Sequence, residues 1–303
     1  MGLLDGKVIV VTGAGRGLGR CHAELLAHEG AAVVVNDLGG EWDGSGADER
    51  PAAEVAEAIT AVGGNATPNF DSVSSWEGAR RMVDQAVATY GRLDGLVCNA
   101  GFVRDRTVFN MSEDEWDQVI DVHLKGHFAP TRWATAHWRE RFKETGEPTN
   151  AAIVYTASEA GLFGNAGQPN YSAAKAGIAS LGIVVAREMH RYGVTCNTVN
   201  PRGRTRMTIN TFGADKLTTR AGEFDANDPA NVSPWIAYLC SDHATDITGQ
   251  TFVVGGDTVA LMEGWHRVNR IRRGKERWTP AELVTARAEL FADRPTDVPK
   301  FSM

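Results

Sequence analysis

An apolar run, Lys7-Val8-Ile9-Val10-Val11-Thr12, passes straight into Gly13-Ala14-Gly15-Arg16-Gly17-Leu18-Gly19, and an amphipathic stretch follows from Cys21 to Glu29. Glycines alone are weak signals, because they punctuate many turns for backbone reasons. Between a strand and a helix, however, a turn of this spacing lets backbone N–H groups and the helix N-terminus face a pyrophosphate. A second apolar run ends in Val33-Val34-Val35-Asn36-Asp37, with the aspartate 24 residues past Gly13. An acidic side chain there is placed to accept the ribose hydroxyls of a dinucleotide.

Short β-branched runs keep alternating with longer amphipathic stretches, which predicts an α/β fold: a doubly wound parallel sheet joined by crossover helices. Strands are expected near 7–12, 31–36, 66–70, 94–98, 151–157, 194–199 and 251–254. Their near-continuous apolar character fits a sheet covered by helices on both faces. Ser112-x-x-Glu115 is a capping box before Trp116, Val119, Ile120, His123 and Leu124. Asp228-Pro229 and Thr279-Pro280-x-Glu282 each put a cap before a first-turn proline, and the second predicts a helix over 280–291. A chain of 303 residues and this pattern can form one core. We expect a single domain over 1–256, with 257–303 as a C-terminal extension packed on that domain or on a neighbouring subunit.

Several function classes fall away. A net charge of −7 offers nucleic acid no general attraction. No apolar run reaches the roughly 20 residues that span a bilayer, and Met1-Gly2-Leu3-Leu4-Asp5-Gly6-Lys7 lacks the core of a signal peptide, so a cytoplasmic protein is expected. Cysteines 21, 98, 196 and 240 form no Cys-x-x-Cys pair, which argues for reduced thiols over disulfides or zinc. His123 and His127 stand i, i+4 but lack a third ligand, so no metal is expected.

The chemistry is concentrated in Tyr171-Ser172-Ala173-Ala174-Lys175, with Ser158 thirteen residues before the tyrosine. On a helix, Tyr171 and Lys175 share one face. A phenol of pKa ~10 is ionised in about one molecule in a thousand at pH 7, and a nearby ammonium favours its phenolate. The pair is therefore expected to act as a proton-transfer site with a lowered tyrosine pKa. Beside a dinucleotide cradle, that means hydride chemistry.

Gly13-x-x-x-Gly17-x-Gly19, Asn99-Ala100-Gly101, Ser158 and Tyr171-x-x-x-Lys175 resemble the short-chain dehydrogenase/reductase family, whose fold is Rossmann-like, and the match runs to about residue 256. Val35-Asn36-Asp37-Leu38-Gly39-Gly40, Phe70-Asp71-Ser72-Val73, Arg104-Asp105-Arg106, Val122-His123-Leu124-Lys125-Gly126 and Arg206-Met207-Thr208 are similar to one branch. That branch is typified by the (3R)-hydroxyacyl-CoA dehydrogenase unit of peroxisomal multifunctional enzyme type 2, also called 17β-hydroxysteroid dehydrogenase type 4. The resemblance implies Tyr171 as general acid/base, Lys175 as the group that lowers its pKa and holds the nicotinamide ribose, and Ser158 as hydrogen-bond partner of the substrate oxygen. It implies cofactor contacts from Gly13, Arg16, Gly17, Leu18, Gly19, Asp37, Asp71, Ser72, Asn99, Gly101, Tyr171, Lys175 and Thr208. His123 departs from the broad family pattern, where an asparagine supports a proton relay; its backbone carbonyl or its ring can serve that relay, or it is a packed residue. The family also implies a homodimer or homotetramer.

Asp37 and Arg16 disagree over the cofactor, since a carboxylate at the ribose repels a 2′-phosphate and an arginine attracts one. Asp37 sits closer to the ribose, so NAD is expected. The substrate end is less defined. Arg202 and Arg204 either meet an acidic group such as a CoA phosphate or pair with nearby carboxylates. Arg267, Arg270, Arg272, Arg273, Lys275 and Arg277 read as a solvated or subunit-facing strip. Segment 209–227 is a candidate substrate lid, and 41–50 a polar loop beside the adenosine end. Three functions remain open: an NAD-dependent dehydrogenase of a 3-hydroxyacyl-CoA in fatty-acyl or sterol breakdown, a dehydrogenase of a free hydroxysteroid or terpene alcohol, and a non-catalytic NAD-binding sensor or scaffold.

Overall fold

A computed structural model describes residues 2–41, 43–205, 207, 209, 219 and 222–298. Among the described residues eight strands form one sheet: β1 (Val8–Thr12), β2 (Ala32–Asn36), β3 (Asn65–Asn69), β4 (Gly95–Cys98), β5 (Ala151–Thr156), β6 (Val194–Pro201), β7 (Thr251–Gly255) and β8 (Thr258–Met262). Their spatial order is β3-β2-β1-β4-β5-β6-β7-β8. The first seven run parallel and β8 returns antiparallel to β7. This is the doubly wound, Rossmann-like α/β fold expected from the alternation. β8 was not among the strands expected; it follows β7 through the two-residue turn Gly256-Asp257, with Gly255 paired to Thr258.

Successive side chains of a strand point to opposite faces, and both faces here are buried. Ile9 and Val11 of β1 join one core with Ala23 and Leu26 of α1 (Gly17–His28) and Val55 and Ile59 of α2 (Arg50–Ala61). Val8 and Val10 join a second core with Met82 of α3 (Trp76–Tyr90), Trp138 of α5 (Gly126–Thr145) and Ile178 of α7 (Pro169–Met189). Pro68 is tolerated because β3 is the sheet edge. Ser112 forms its capping box with Glu115 at the start of α4 (Glu113–Ile120). A π-turn over Asp121–Lys125 separates α4 from α5. Ser158 caps the short α6 (Glu159–Phe163), and Asp228 caps a 3-10 turn that leads into α8 (Ser233–Leu239).

The chain divides into two compact units, Met1–Met262 and Glu263–Met303. In the second, α9 (Pro280–Phe291) begins with the expected Thr279–Glu282 capping box, Asn269 donates to the carbonyls of Glu289 and Leu290, and Arg273 pairs with Glu282. All four cysteines are free thiols. Among the described residues no helix is long and apolar enough to cross a membrane.

Candidate active site

The order of β1 and β4 reverses the winding of the sheet, and ligands of open α/β folds bind at the carboxyl ends of strands flanking such a point. A cleft of about 390 Å³ opens there. One end is built from main chain. Gly13 has φ +64°, and a Cβ on it would lie 2.7 Å from the Cα of Ala100. A Cβ on Gly19 would strike the Gly13 carbonyl at 2.1 Å, so this glycine lets α1 close against the turn and does not itself line the cleft. Gly17, also left-handed at φ +53°, lines the cleft with Arg16 and Leu18.

α1 starts without a side-chain cap and without an acidic residue in its first turn. Its N-terminal amides are thus left for an anionic ligand. By contrast, α3 and α4 are capped by Ser75 and Ser112. The carboxamide of Asn99 donates to the carbonyls of Thr12 and Gly13, and Thr12 Oγ1 accepts from the amides of Asn99 and Ala100. Asp37 accepts from the amide of Gly15 at 2.8 Å through one oxygen and from Gly39 at 2.7 Å through the other. A carboxylate has about four acceptor positions, so ribose hydroxyls can still be taken. Arg16 donates to the Gly40 carbonyl at 3.2 Å. Asp71, paired with Arg81, and Ser72 line the cleft beyond Asn36.

The other end gathers the proton-transfer candidates. β5 delivers Ser158, whose hydroxyl accepts from the Ala160 amide at 3.2 Å. The first turns of α7 deliver Tyr171 and Lys175, and all three residues line the cleft. Lys175 Nζ donates to the Thr156 carbonyl at 2.6 Å and lies 5.5 Å from the centre of the Tyr171 ring. A profile of the short chain dehydrogenase family matches residues 7–215.

The chain belongs to the short-chain dehydrogenase family. It is 43% identical over 96% of its length to the hydroxyacyl-CoA dehydrogenase ChsB1 of Mycobacterium tuberculosis, 90% of which is covered. It is 37% identical over 95% of its length to peroxisomal multifunctional enzyme type 2 of Mus musculus, of which it spans 37%. A crystal structure of a short chain dehydrogenase from Mycobacterium avium superposes over the whole of both chains with a TM-score of 0.87 and 46% identity. The protein is therefore an oxidoreductase of CH–OH groups, from a family that uses nicotinamide dinucleotides.

The electrostatics of this short-chain dehydrogenase depart from the sequence expectation. Burial pushes Tyr171 up to about 12, the Ser158 hydroxyl draws it down through a hydrogen bond, and the Asp105 charge raises it further. Burial alone brings Lys175 down to about 7. The expected lowering of the tyrosine pKa by the lysine is thus overridden, because desolvation penalises both charged forms and was not visible in residue spacing.

His123 is buried in the π-turn. Its Nε2–H donates to the Phe102 carbonyl at 2.7 Å, and the ring meets Tyr171 edge-on at 5.1 Å. A Cβ on Gly101 would lie 2.1 Å from His123 Cε1, so the histidine explains that glycine as much as close approach of a cofactor does. Burial and the Lys175 charge hold His123 well below the usual histidine range, and it stays neutral.

Arg202 and Arg204 are paired. Arg202 makes a two-pronged bond to Glu159, at 2.7 and 2.6 Å, and Arg204 binds Asp225. Arg206, Thr208 and most of the candidate lid lie outside the described residues. Thr12 and Asn170 lie inside motifs that spacing marked but gave no task, and Phe102 carried no signal. Asn170, fully buried, donates to the carbonyls of Arg104 and of Glu115 in α4 and accepts from the Tyr171 amide, fixing the start of the tyrosine's helix against both.

Proposed function

We propose that this short-chain dehydrogenase uses NAD to oxidise a 3-hydroxyacyl-CoA to the 3-ketoacyl-CoA. The observation that carries the reading is one cleft with Asp37 at its adenosine end and Ser158, Tyr171 and Lys175 at the other. The similarity to a hydroxyacyl-CoA dehydrogenase over nearly the whole chain supports the substrate class.

The glycine turn, the uncapped start of α1 and Asp37 fit a dinucleotide, which when bound supplies the acceptor for hydride from the carbinol carbon. Gly13, Arg16, Gly17 and Leu18 hold its pyrophosphate side, Gly19 lets α1 approach, and Asp71, Ser72, Asn99 and Gly101 shape the rest. Asp37 disfavours a 2′-phosphate by charge, which selects NAD.

Ser158 orients the substrate oxygen and Tyr171 carries its proton, leaving as the C–H hydrogen departs as hydride. A positioned acid/base of this kind is worth ~10²–10⁴-fold. Tyr171 rests protonated, ready to donate to a carbonyl in reduction. In oxidation it must first lose its proton to solvent, which Lys175 favours when charged, a form that predominates only below about pH 7. Lys175, which lines the cleft, would also hold the nicotinamide ribose.

The pairing of Arg202 and Arg204 favours a second reading, oxidation of a free hydroxysteroid-like alcohol, because two cations expected to meet CoA phosphates are already engaged. NADH formation with a 3-hydroxyacyl-CoA and with the matching free alcohol separates the two. The CoA ester should give the higher kcat/KM by at least about tenfold, or roughly 1.4 kcal/mol; equal or reversed values would replace the first reading with the second.

The four free thiols suit a reducing compartment, the cytoplasm. Exposed Trp116 on α4, Phe128 on α5 and Ile183 and Val184 on α7 suit assembly into a dimer or tetramer. Light scattering of the purified protein tests the assembly; a monomer would contradict it.

A further inference from the structure

We infer that the Arg202–Glu159 pair is a positioning device for Ser158, acting through the first turn of α6. The inference rests on the dehydrogenase reading of Ser158 and goes beyond it by giving a task to an arginine that spacing left between two roles.

α6 has five residues, too few to hold its own shape in water. Ser158 is its cap, so the direction of the hydroxyl follows the turn formed by Glu159 and Ala160. On its inner side the turn is fixed by contact, because a Cβ on Gly161 would lie 2.6 Å from the Ala176 amide of α7. On its outer side Glu159 is held by Arg202, whose Nε and Nη2 each reach one carboxylate oxygen.

Arg202 is itself held. Its amide donates to the Val254 carbonyl at 2.7 Å, and a Cβ on Gly255 would lie 2.4 Å from the Arg202 Cβ. The end of β7 thus fixes Arg202, Arg202 fixes Glu159, and Glu159 is bonded to the serine. The Glu159 side chain is 13% exposed and that of Arg202 is 48% exposed, so the pair is less screened than one standing wholly in water. A planar fork on a carboxylate sets direction as well as distance, which a lysine cannot reproduce.

Loss of the pair should let Ser158 shift against Tyr171. Misplacement by about 1 Å can slow an enzyme by ~10²-fold, and the inner contact limits the movement, so a fall in kcat of about tenfold is expected. The test uses the full chain with saturating NAD and compares Arg202→Met, Arg202→Lys, Glu159→Gln and the Arg202→Met/Glu159→Gln double variant. Each single removal should lower kcat about tenfold with the KM for NAD nearly unchanged. The double should be no slower than about twofold below the singles, since one link is cut once. Arg202→Lys should recover only part of the loss.

The kcat loss should be equal for a 3-hydroxyacyl-CoA and for a truncated thioester without the nucleotide. A loss confined to KM for the CoA ester would make Arg202 a phosphate ligand and overturn the inference. A kcat within about twofold of wild type, or additive losses in the double variant, would overturn it too. Amide exchange over 157–163 in the NAD complex provides a substrate-independent measurement and should quicken in Arg202→Met; unchanged exchange rejects the device. Should the wild-type protein turn over only a free alcohol, the acyl-CoA reading falls, and the same kcat comparison with that alcohol still decides this one.

Discussion

The two ends of the cleft are held by different means. At the cofactor end, Gly13, Asn99, Thr12 and Asp37 are fixed by hydrogen bonds or close packing to main chain. Along the 201–205 strand end and loop, whose Pro201, Gly203 and Thr205 line the cleft, the alternate residues Arg202 and Arg204 stand outside that lining and are fixed by the side chains of Glu159 and Asp225. Main-chain constraints dictate residue type at fixed spacing, and tolerate little. Side-chain pairs can be exchanged for others, which leaves this end free to change its substrate without disturbing the dinucleotide.

If that contrast holds, the steepest loss follows Gly13→Val. A β-branched residue must adopt φ near +64° and displace Ala100 from 2.7 Å. Strain of order 1–3 kcal/mol plus the steric shift should weaken NAD by at least ~10²-fold in a calorimetric titration; unaltered affinity would break the contrast at its strongest point. Next comes Asp37→Ala, which removes the acceptor of two amides and the charge proposed to face the ribose. The ratio of kcat/KM for NAD over NADP should fall by ~10–100-fold, roughly 1.4–2.8 kcal/mol. A ratio that stays put would remove Asp37 from cofactor choice.

Acid sharpens the comparison by loosening the floor under both ends. His22, buried in α1 and bonded to Ser233, and His127, behind Lys175, are each brought down to about 3 by burial. Between about pH 6.5 and 3 the unfolded chain binds protons that the folded chain refuses. The contribution of these two histidines is therefore complete above 6.5 and is lost as pH drops, by about 1.4 kcal/mol per pH unit for each. Thermal melts from pH 7 to 4 should show this slope, reduced in His22→Gln; an identical slope in that variant would show that His22 is not a source. The smallest effect is expected for Arg204→Met, whose partner Asp225 is on a half-exposed loop. Changes in kcat/KM should stay below about threefold, as for other partly exposed pairs. A tenfold loss would make the substrate end as rigidly specified as the cofactor end.

The same contrast explains what could be read in advance. The seven parallel strands and the 280–291 helix were legible because apolar runs, Gly turns and the Thr279–Glu282 box act locally. β8 was passed over although Gly255-Gly256-Asp257 is a hairpin signal and Thr258-Val259-Ala260-Leu261-Met262 is an apolar run; what the sequence does not show is that three of these five residues are exposed on an antiparallel edge strand. The π-turn at His123 had no local signature. Nothing in spacing pairs residue 202 with 159, since the sheet brings them together. The sign of the Tyr171 shift was misread for a related reason: charge can be counted along a chain, but burial cannot.

In the proposed reaction Tyr171 carries the alcohol proton while the neighbouring residues hold the dinucleotide. Single-turnover NADH formation by Tyr171→Phe, with NAD affinity measured on the same sample, tests it most directly. Hydride transfer should slow by at least ~10²-fold with NAD affinity nearly unchanged. Transfer within about tenfold of the wild-type rate would contradict the account.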